Sequence, residues 1–342
     1  MSRSAIDQQP CEAAIVISTT LRPTLLRAAR SVFRQDLVGR LHLLIGIDRP
    51  EGDAGLLDIL RAECPDRVTL TILDLGYSTA ARHGGFYPSA GGGALRAILG
   101  YAANSRYVAY LDDDDWWARD HLSSLRAAIP GKVWAYSYRW MVDDATSWPI
   151  CRDDWDSIGV GRGISRENFG GFACPSSLMI EKEAAHLILP HWAVAHSADG
   201  RGNDRPILQE LMRYAYGETG RYSCFYELRA ADQRHPHHAK EFAARQIGWM
   251  GDREKIDRII GYTAQAEATG AADAARQALA LNPHHAPALN LLAQAEYRAG
   301  RLAEAQLHAA QALELADHDP AVQAFWNKLN GIWGVQPVSI GR

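Results

Sequence analysis

The sequence predicts an α/β protein: a mostly parallel sheet with helices on both faces, followed by a small all-α helical-repeat domain. Three observations carry this. Short β-branched apolar runs alternate with helix-spaced stretches over the first 110 residues, as βαβ units require. Thr and Asp residues stand where those runs end, which is where ligands bind in such sheets. Beyond about Asp252 the composition turns sharply to Ala, Leu, Glu and Gln, marking a second domain.

In chain order, Ala14–Ser18 reads as a buried strand ending in Thr19-Thr20. Leu25, Leu26, Ala29, Val32 and Phe33 recur at helical spacing within Pro23–Gln35. Leu41–Ile47 is a second strand, stopped by Asp48-Arg49-Pro50, and Asp53–Ala62 a short helix. Val68–Leu73 is a third strand. A Gly-rich stretch precedes a helix at Ala94–Ala103, and Tyr107–Leu111 is a fourth strand running into four aspartates. Between Lys132 and His238 the pattern is rich in Trp and Gly; Phe172–Ile180 reads as a strand and Pro206–Tyr214 as a helix.

The tail repeats. From Ala286, the residues Leu289, Leu292, Ala293, Gly300, Ala305 and Ala312 sit where a tetratricopeptide repeat places its large and small apolar positions. Ala264–Pro283, with Gly270 at its turn, resembles a second unit whose second helix is about one turn short. Such units bury their faces only by stacking. The segment therefore reads either as an appendage packed on the large domain or on a second copy of the chain, or as a docking surface for a protein partner. His284-His285, in the turn, is expected to face solvent. The expected boundaries are 11–240 for the large domain, 241–262 for a linker helix, 263–330 for the repeats and 331–342 for a tail.

Composition narrows the function. The 342 residues carry 36 Lys+Arg and 40 Asp+Glu, so no basic surplus marks a nucleic-acid binder. No apolar run approaches a membrane span, and residues 1–9 lack the apolar core of a signal peptide. The five cysteines are scattered without a CxxC pair, which favours a reducing compartment over disulfides or a Cys-rich zinc site. A cytoplasmic protein is expected, peripheral at the inner membrane if its acceptor is membrane-bound.

The chemical signal is Asp112-Asp113-Asp114-Asp115, between an apolar strand and Trp116-Trp117. Carboxylates crowded at the mouth of a buried strand repel one another and persist best with a compensating cation. Hard oxygen donors suit Mg²⁺ or Mn²⁺, which bind through one or two carboxylates together with substrate phosphates. In an extended chain Asp112 and Asp114 would face one side, Asp113 and Asp115 the other.

With that cluster, several elements in order resemble the inverting glycosyltransferases of family 2, which have the GT-A fold: Ser18-Thr19-Thr20-Leu21-Arg22-Pro23, Ser31-Val32-Phe33-Arg34-Gln35, Leu43–Asp48, Gly91-Gly92-Gly93-Ala94-Leu95-Arg96 and Tyr110–Trp116. The resemblance covers roughly Ala13 to His238. It implies a nucleotide-diphosphate sugar donor, with UDP the expected nucleotide, Mn²⁺ or Mg²⁺, and a glycan, lipid-linked glycan or protein acceptor. Thr19, Thr20 and Arg22 match the loop lining the nucleotide pocket, and Asp48 the acid contacting the base. Asp112, with Asp113 beside it, matches the first acid near the ribose, and Asp114 the metal-binding second acid. Gly93 and Arg96 would lie near the nucleotide.

An inverting transfer needs one further group, a base that takes the acceptor hydroxyl proton. The resemblance places it near a helix start, where Asn203-Asp204-Arg205-Pro206 stands; Asp204 is the expected base, with Asp199, His196 and Glu210 behind it. An N-cap role is the competing reading of Asp204. His235, with Arg234 next to it, is expected to reach phosphate or metal. Gly170–Ser177 is expected to line the acceptor side, one or two of Trp140, Trp148, Trp155 and Trp192 to stack on sugar rings, and the long loop Gly76–Gly93, with His83 and Tyr87, to reflect the donor. The alternative reading is a tetratricopeptide-type interaction protein whose GT-A domain is weak or only binds nucleotide. A sugar-phosphate nucleotidyltransferase would want a Gly-rich basic loop after the first strand, which Ser18–Pro23 lacks.

Overall fold

The computed structural model describes residues 9–200, 202–229 and 236–333. The chain forms two compact units. One runs to Trp140 and resumes over Arg152–Tyr226; the other takes Met141–Cys151 and the chain from Glu227 onward.

The first unit is built on four parallel strands, β1 (Ala13–Thr19), β2 (Leu41–Ile47), β3 (Val68–Asp74) and β4 (Tyr107–Tyr110), in the order β3-β2-β1-β4. Ala13 pairs with Leu41 and Leu41 with Val68, so the three ends with Thr19, Ile47 and Asp74 lie level. Beyond β4 come β5 (Trp116–Trp117), β6 (Trp134–Asp143), β10 (Leu178–Glu181) and β11 (Tyr216–Leu228), extending the sheet as β4-β10-β6-β11-β5. Here β10 runs antiparallel to β4 and β6, and β11 antiparallel to β5. The α/β class expected from the sequence is present: the first four strands pair in parallel, and antiparallel pairs follow at β10 and β5.

β1, β2 and β4 are covered on both faces, which is why they read as apolar runs, whereas β3, partly exposed after Val68, alternates with Thr69 and Thr71. Ala13, Ile15 and Ile17 pack with Leu25, Ala28 and Val32 of α1 (Thr24–Phe33), Leu57 and Leu60 of α2 (Gly55–Glu63) and Leu122 and Leu125 of α4 (His121–Ala128). The alternate residues Ala14 and Val16 pack with Ala97 and Leu99 of α3 (Gly93–Ala102) and Ile207, Leu208 and Leu211 of α6 (Asp204–Leu211). Between them the chain forms β7 (Pro149–Arg152), a short pair β8 (Gly159–Val160) and β9 (Gly171–Phe172), and α5 (Arg166–Phe169). The single strand expected over Phe172–Ile180 is broken: β9 ends at Phe172, and a 3₁₀ turn at Pro175–Ser177 precedes β10. Pro175 lacks the N–H that a ladder needs.

In the second unit, helices α7 (Pro236–Ala244), α8 (Arg253–Thr269), α9 (Ala272–Leu281), α10 (Ala286–Arg298), α11 (Leu302–Leu315) and α12 (Pro320–Trp333) follow one another. Gly270 and Gly300, at φ 68° and 74°, turn the chain between pairs in the left-handed region that glycine adopts freely. Buried Ala275, Ala278, Ala293, Ala305, Ala309 and Ala312 let the helices approach closely. The ten-residue α9 is four residues shorter than α11, the missing turn read from the sequence. No helix among the described residues is long and apolar enough to cross a membrane.

The expectation that His285 faces solvent is overturned. It is 3% exposed and meets Trp148 edge-on at 4.4 Å, while Trp148 also packs on Trp249 at 6.1 Å. The hairpin bearing Trp148 fills the turn that its neighbours would otherwise leave open. Burial holds the imidazole neutral, its pKa pushed down to about 4. Unfolded, it titrates near 6.5, so between these values the unfolded chain binds the extra proton and stability rises with pH. Acidification from about pH 7 to about pH 5 is expected to cost about 2 kcal/mol at this residue. His285→Phe should flatten that part of the melting-temperature profile of the second unit; an unchanged slope would assign the acid sensitivity to other groups.

Candidate active site

The four aspartates do not continue β4. The Asp115 N–H donates to the Asp112 carbonyl at 3.1 Å, closing a turn over 112–115. The alternate-facing arrangement expected of an extended chain is therefore corrected: Asp112, Asp114 and Asp115 converge, with carboxylate oxygens within 4.8 Å of one another, and Asp113 turns away.

Asp113 is buried and engaged by the β1 loop. The Thr19 hydroxyl donates to it at 2.6 Å, and the Arg22 guanidinium donates to both of its oxygens, through Nε at 3.2 Å and through a terminal nitrogen. Arg22 also reaches Asp114 at 2.9 Å. Burial works against the Arg22 charge, yet Asp113 and Asp114 together hold its pKa above the ordinary value. The loop is bent to allow this. Leu21 has φ 65°, strained for a branched side chain, and its N–H donates to Thr19 Oγ1 at 2.8 Å. Gly52 packs so closely on the Leu21 carbonyl that a Cβ would lie 1.8 Å from it, and its N–H donates to the Thr20 carbonyl at 2.9 Å.

On the other side, Arg96 of α3 pairs with Asp112 and donates through Nε to Ser18 Oγ at 3.2 Å, while its guanidinium lies over Trp192 at 5.1 Å. Gly92 and Gly93 make this approach possible. A Cβ at Gly92 would meet the Ser18 side chain at 2.6 Å, and one at Gly93 the Trp192 carbonyl at 2.1 Å. Gly93 is thus buried packing as well as the first residue of α3.

Asp115, 1% exposed, lies beneath the cluster. The Ser176 hydroxyl donates to its carboxylate at 2.6 Å and accepts the Asp112 N–H at 3.0 Å, so one serine spaces the two acids. Burial, then Asp114, Cys174 and Asp112, pushes the Asp115 carboxyl well above the usual range. Asp112 is also raised, chiefly by burial; Arg96 opposes this, and Asp114, Asp113 and Asp204 add to it. Asp204 therefore stands within electrostatic reach of Asp112.

Asp204 is the first residue of α6. The N-cap is Asn203, in helical φ/ψ and without a side-chain capping bond, so the N-cap reading of Asp204 is not what the chain adopts. Among the runners-up, Asp199 accepts the Ser197 hydroxyl at 2.6 Å, Glu210 pairs with Arg213 at 2.9 Å, and His196 packs edge-on against Phe169.

The Asp48 carboxylate lies at the level strand ends, buried, and holds the next loop: Ser78 Oγ, the Thr79 N–H and Thr79 Oγ1 all donate to Oδ1, at 3.0, 3.2 and 3.4 Å. His235 and Arg234 lie outside the described residues. Trp140, Trp155 and Trp192 are buried in the first unit, and Trp148 packs within the second, so none of the four is an open platform. The sequence reading missed Asp115 as the third convergent carboxylate, Ser176 as its spacer, and Arg27, which donates to the Asp114 carbonyl at 2.7 Å and covers Trp116. The run of four aspartates is itself a turn signal that points to Asp115; nothing local marks Ser176.

Three converging carboxylates, two of them destabilised in their charged form by burial and by one another, are a hard, anionic donor set of the kind Mg²⁺ or Mn²⁺ takes. The residues present fit such an ion. A second convergence, Asp115 with the thiols of Cys174 and Cys224, lies fully buried behind it.

No family model matches the chain, and no curated protein does. Among solved structures it is similar to S. aureus TarS in complex with UDP-GlcNAc, at 11% identity over 94% of this chain and 80% of that one, with a TM-score of 0.46. It is also similar to the mannosyltransferase PcManGT from Pyrobaculum calidifontis in complex with GDP-Man and Mn²⁺, at 16% identity over 98% of this chain and 92% of that one, with a TM-score of 0.41.

Proposed function

We propose that the chain is an inverting, metal-assisted glycosyltransferase that moves a sugar from a nucleoside-diphosphate sugar to a hydroxyl acceptor. The observation that carries this reading is the convergence of Asp112, Asp114 and Asp115 at the carboxyl end of β4, flanked by Arg22 and Arg96. A site that is anionic at its centre, with guanidinium groups bound at its sides, matches a diphosphate held through a cation.

Asp112, Asp114 and Asp115 would hold the ion, which when bound neutralises the charge growing on the departing diphosphate. Thr19 and Arg22 fix Asp113 and so set the β1 loop against the acidic turn. Arg96 holds Asp112 and ties it to the end of β1 through Ser18. Asp48 positions the Ser78-Thr79 backbone at the end of β2, where the nucleoside would rest. Asp204, within electrostatic reach of Asp112, accepts the proton of the attacking hydroxyl.

The test is a thermal-shift panel of UDP, GDP, dTDP and CDP, each with and without Mn²⁺, on wild type and Asp114→Asn. A ligand at 100 times its Kd adds about 2.7 kcal/mol of stability. One nucleotide is expected to stabilise wild type only with Mn²⁺, and Asp114→Asn not at all. No response to any of the four would sink the reading.

A further inference from the structure

The segment between β3 and α3, residues 75–92, is a built loop whose hydrogen bonds leave its aromatic side chains outside. Its foot is buried: Ser78, Thr79, Ala80 and Ser89 are all at most 5% exposed. Its legs are laced together. The Tyr87 N–H donates to the Thr79 carbonyl at 3.0 Å, and the Ala81 N–H to the Tyr87 carbonyl at 2.7 Å. Gly85 packs so tightly that a Cβ would lie 2.3 Å from the Ser78 carbonyl oxygen. Yet Phe86 is 88% exposed, Tyr77 62% and Tyr87 43%, with the Phe86 and Tyr87 rings edge-on at 5.7 Å. An ordered loop that withholds three aromatics from burial presents them to something else.

The two legs locate that something. The first is anchored on Asp48, at the end of β2. The second ends on the segment leading to Asp204: the Ala90 N–H donates to the Gly200 carbonyl at 2.8 Å, and Gly93 fits between Ser89 Oγ, the Trp192 carbonyl and Asn203 Nδ2. The loop therefore runs from the end of β2 to the segment that leads into Asp204. From residue 75 to 92 the sequence has no acid, and its one permanent charge is Arg82. A Cβ at Gly76 or Gly84 would meet nothing within 4 Å, so the loop is open at both positions. Flat apolar faces with phenol hydroxyls at their edges, nearly uncharged and open at the sides, suit a neutral polyhydroxylated ring rather than a diphosphate.

We propose that Tyr77, Phe86 and Tyr87 form the acceptor platform, stacking on a sugar ring of a glycan acceptor and presenting its hydroxyl toward Asp204. This rests on the glycosyl-transfer reading above. The experiment is saturation-transfer NMR on the full chain with UDP and diamagnetic Mg²⁺ present, using the methyl glycosides of glucose, galactose, mannose, rhamnose and N-acetylglucosamine as probes. Wild type is expected to transfer saturation to at least one glycoside. Phe86→Ser should weaken that glycoside by roughly 5–10-fold, the size of one aromatic contact, and Phe86→Tyr should retain it. Both variants should keep the wild-type melting temperature and UDP affinity, because Phe86 is exposed.

Saturation of no glycoside by wild type, or an equal signal from Phe86→Ser, overturns the proposal. So does a fall in UDP affinity in Phe86→Ser, which would assign the tip to the donor. Flotation of wild type with phosphatidylglycerol vesicles that is lost in Phe86→Ser would assign it to a lipid surface instead. Failure of wild type to bind any nucleotide is a separate result and removes the underlying reading.

Discussion

Asp204→Asn is expected to lower turnover by about 10²–10⁴-fold, the usual weight of a general base, while metal-dependent nucleotide binding stays at its wild-type value. The substitution is isosteric, and its structural cost is small for a stated reason. Asp204 is the first residue of α6 rather than its cap, and the preceding Asn203 makes no side-chain capping bond, so no capping bond is lost. What is lost is a carboxylate whose like charge is the smallest of the contributions that raise the Asp112 carboxyl, burial being the largest, so the acidic turn keeps its electrostatics. The measurement is release of nucleotide from the sugar donor whose nucleotide the thermal-shift panel selects, with KM and kcat separated. A kcat effect at constant KM is the signature of a group needed only in the transition state. Turnover within tenfold of wild type would move the base elsewhere. Of the alternatives, Glu210 is paired with Arg213 and Asp199 with Ser197.

The parallel half of the fold was legible because β1, β2 and β4 are buried on both faces and β1 and β2 are each followed by a helix with a clear apolar stripe. Leu41–Ile47 is observed at the bounds read from the sequence, and the ends of β1, β3 and β4 differ by a residue or so. The antiparallel half was not legible, because its strands are held by aromatic and ionic pairs between positions far apart in sequence. Trp134 and Tyr136 pack at a tilt against Tyr216 across the sheet, and Tyr138 against Tyr222, so these residues show no local periodicity that separates strand from loop. At the site, Asp112 and Asp114 were found as a motif. The role of Asp115 depends on a turn closed by one backbone hydrogen bond and on Ser176, 61 residues away from it. His285 was misread for the same kind of reason: its burial comes from Trp148, on a hairpin more than a hundred residues upstream.

Arg139→Met is expected to cost about 3–5 kcal/mol of stability, the largest loss anticipated for one substitution in this chain. Arg139 on β6 is buried, as is Asp153, and donates to Asp153 at 2.7 Å and to Asp156 at 2.9 Å. Asp153 also accepts the N–H groups of Trp155, Asp156 and Ser157, so it is the centre of a loop as well as half of a pair. Burial alone would raise the Asp153 carboxyl; Arg139 and the backbone donors reverse this and hold it below the ordinary value. Its ionised form therefore contributes stability above the unfolded pKa, and that contribution is lost as pH falls through the folded one. Removing Arg139 changes the sign. With burial now opposed only by the backbone donors, the carboxyl rises, and protonation relieves the folded variant as pH falls. The gap in urea midpoint between wild type and Arg139→Met should consequently narrow from pH 8 to pH 5, and Asp153→Asn added to Arg139→Met should recover part of it, because the more deeply buried of the two carboxylates deprived of Arg139 is then uncharged while a side-chain oxygen remains to accept the loop N–H groups. A loss below about 1 kcal/mol, or a gap that ignores pH, would show that the pair is solvated in solution. The loop also carries the site. The Ser157 hydroxyl accepts the Cys174 N–H at 2.7 Å, two residues before the Ser176 that spaces Asp112 and Asp115. Variants that fold with the Arg139 pair broken should therefore bind Mn²⁺-dependent nucleotide more weakly, although Arg139 is not among the converging groups.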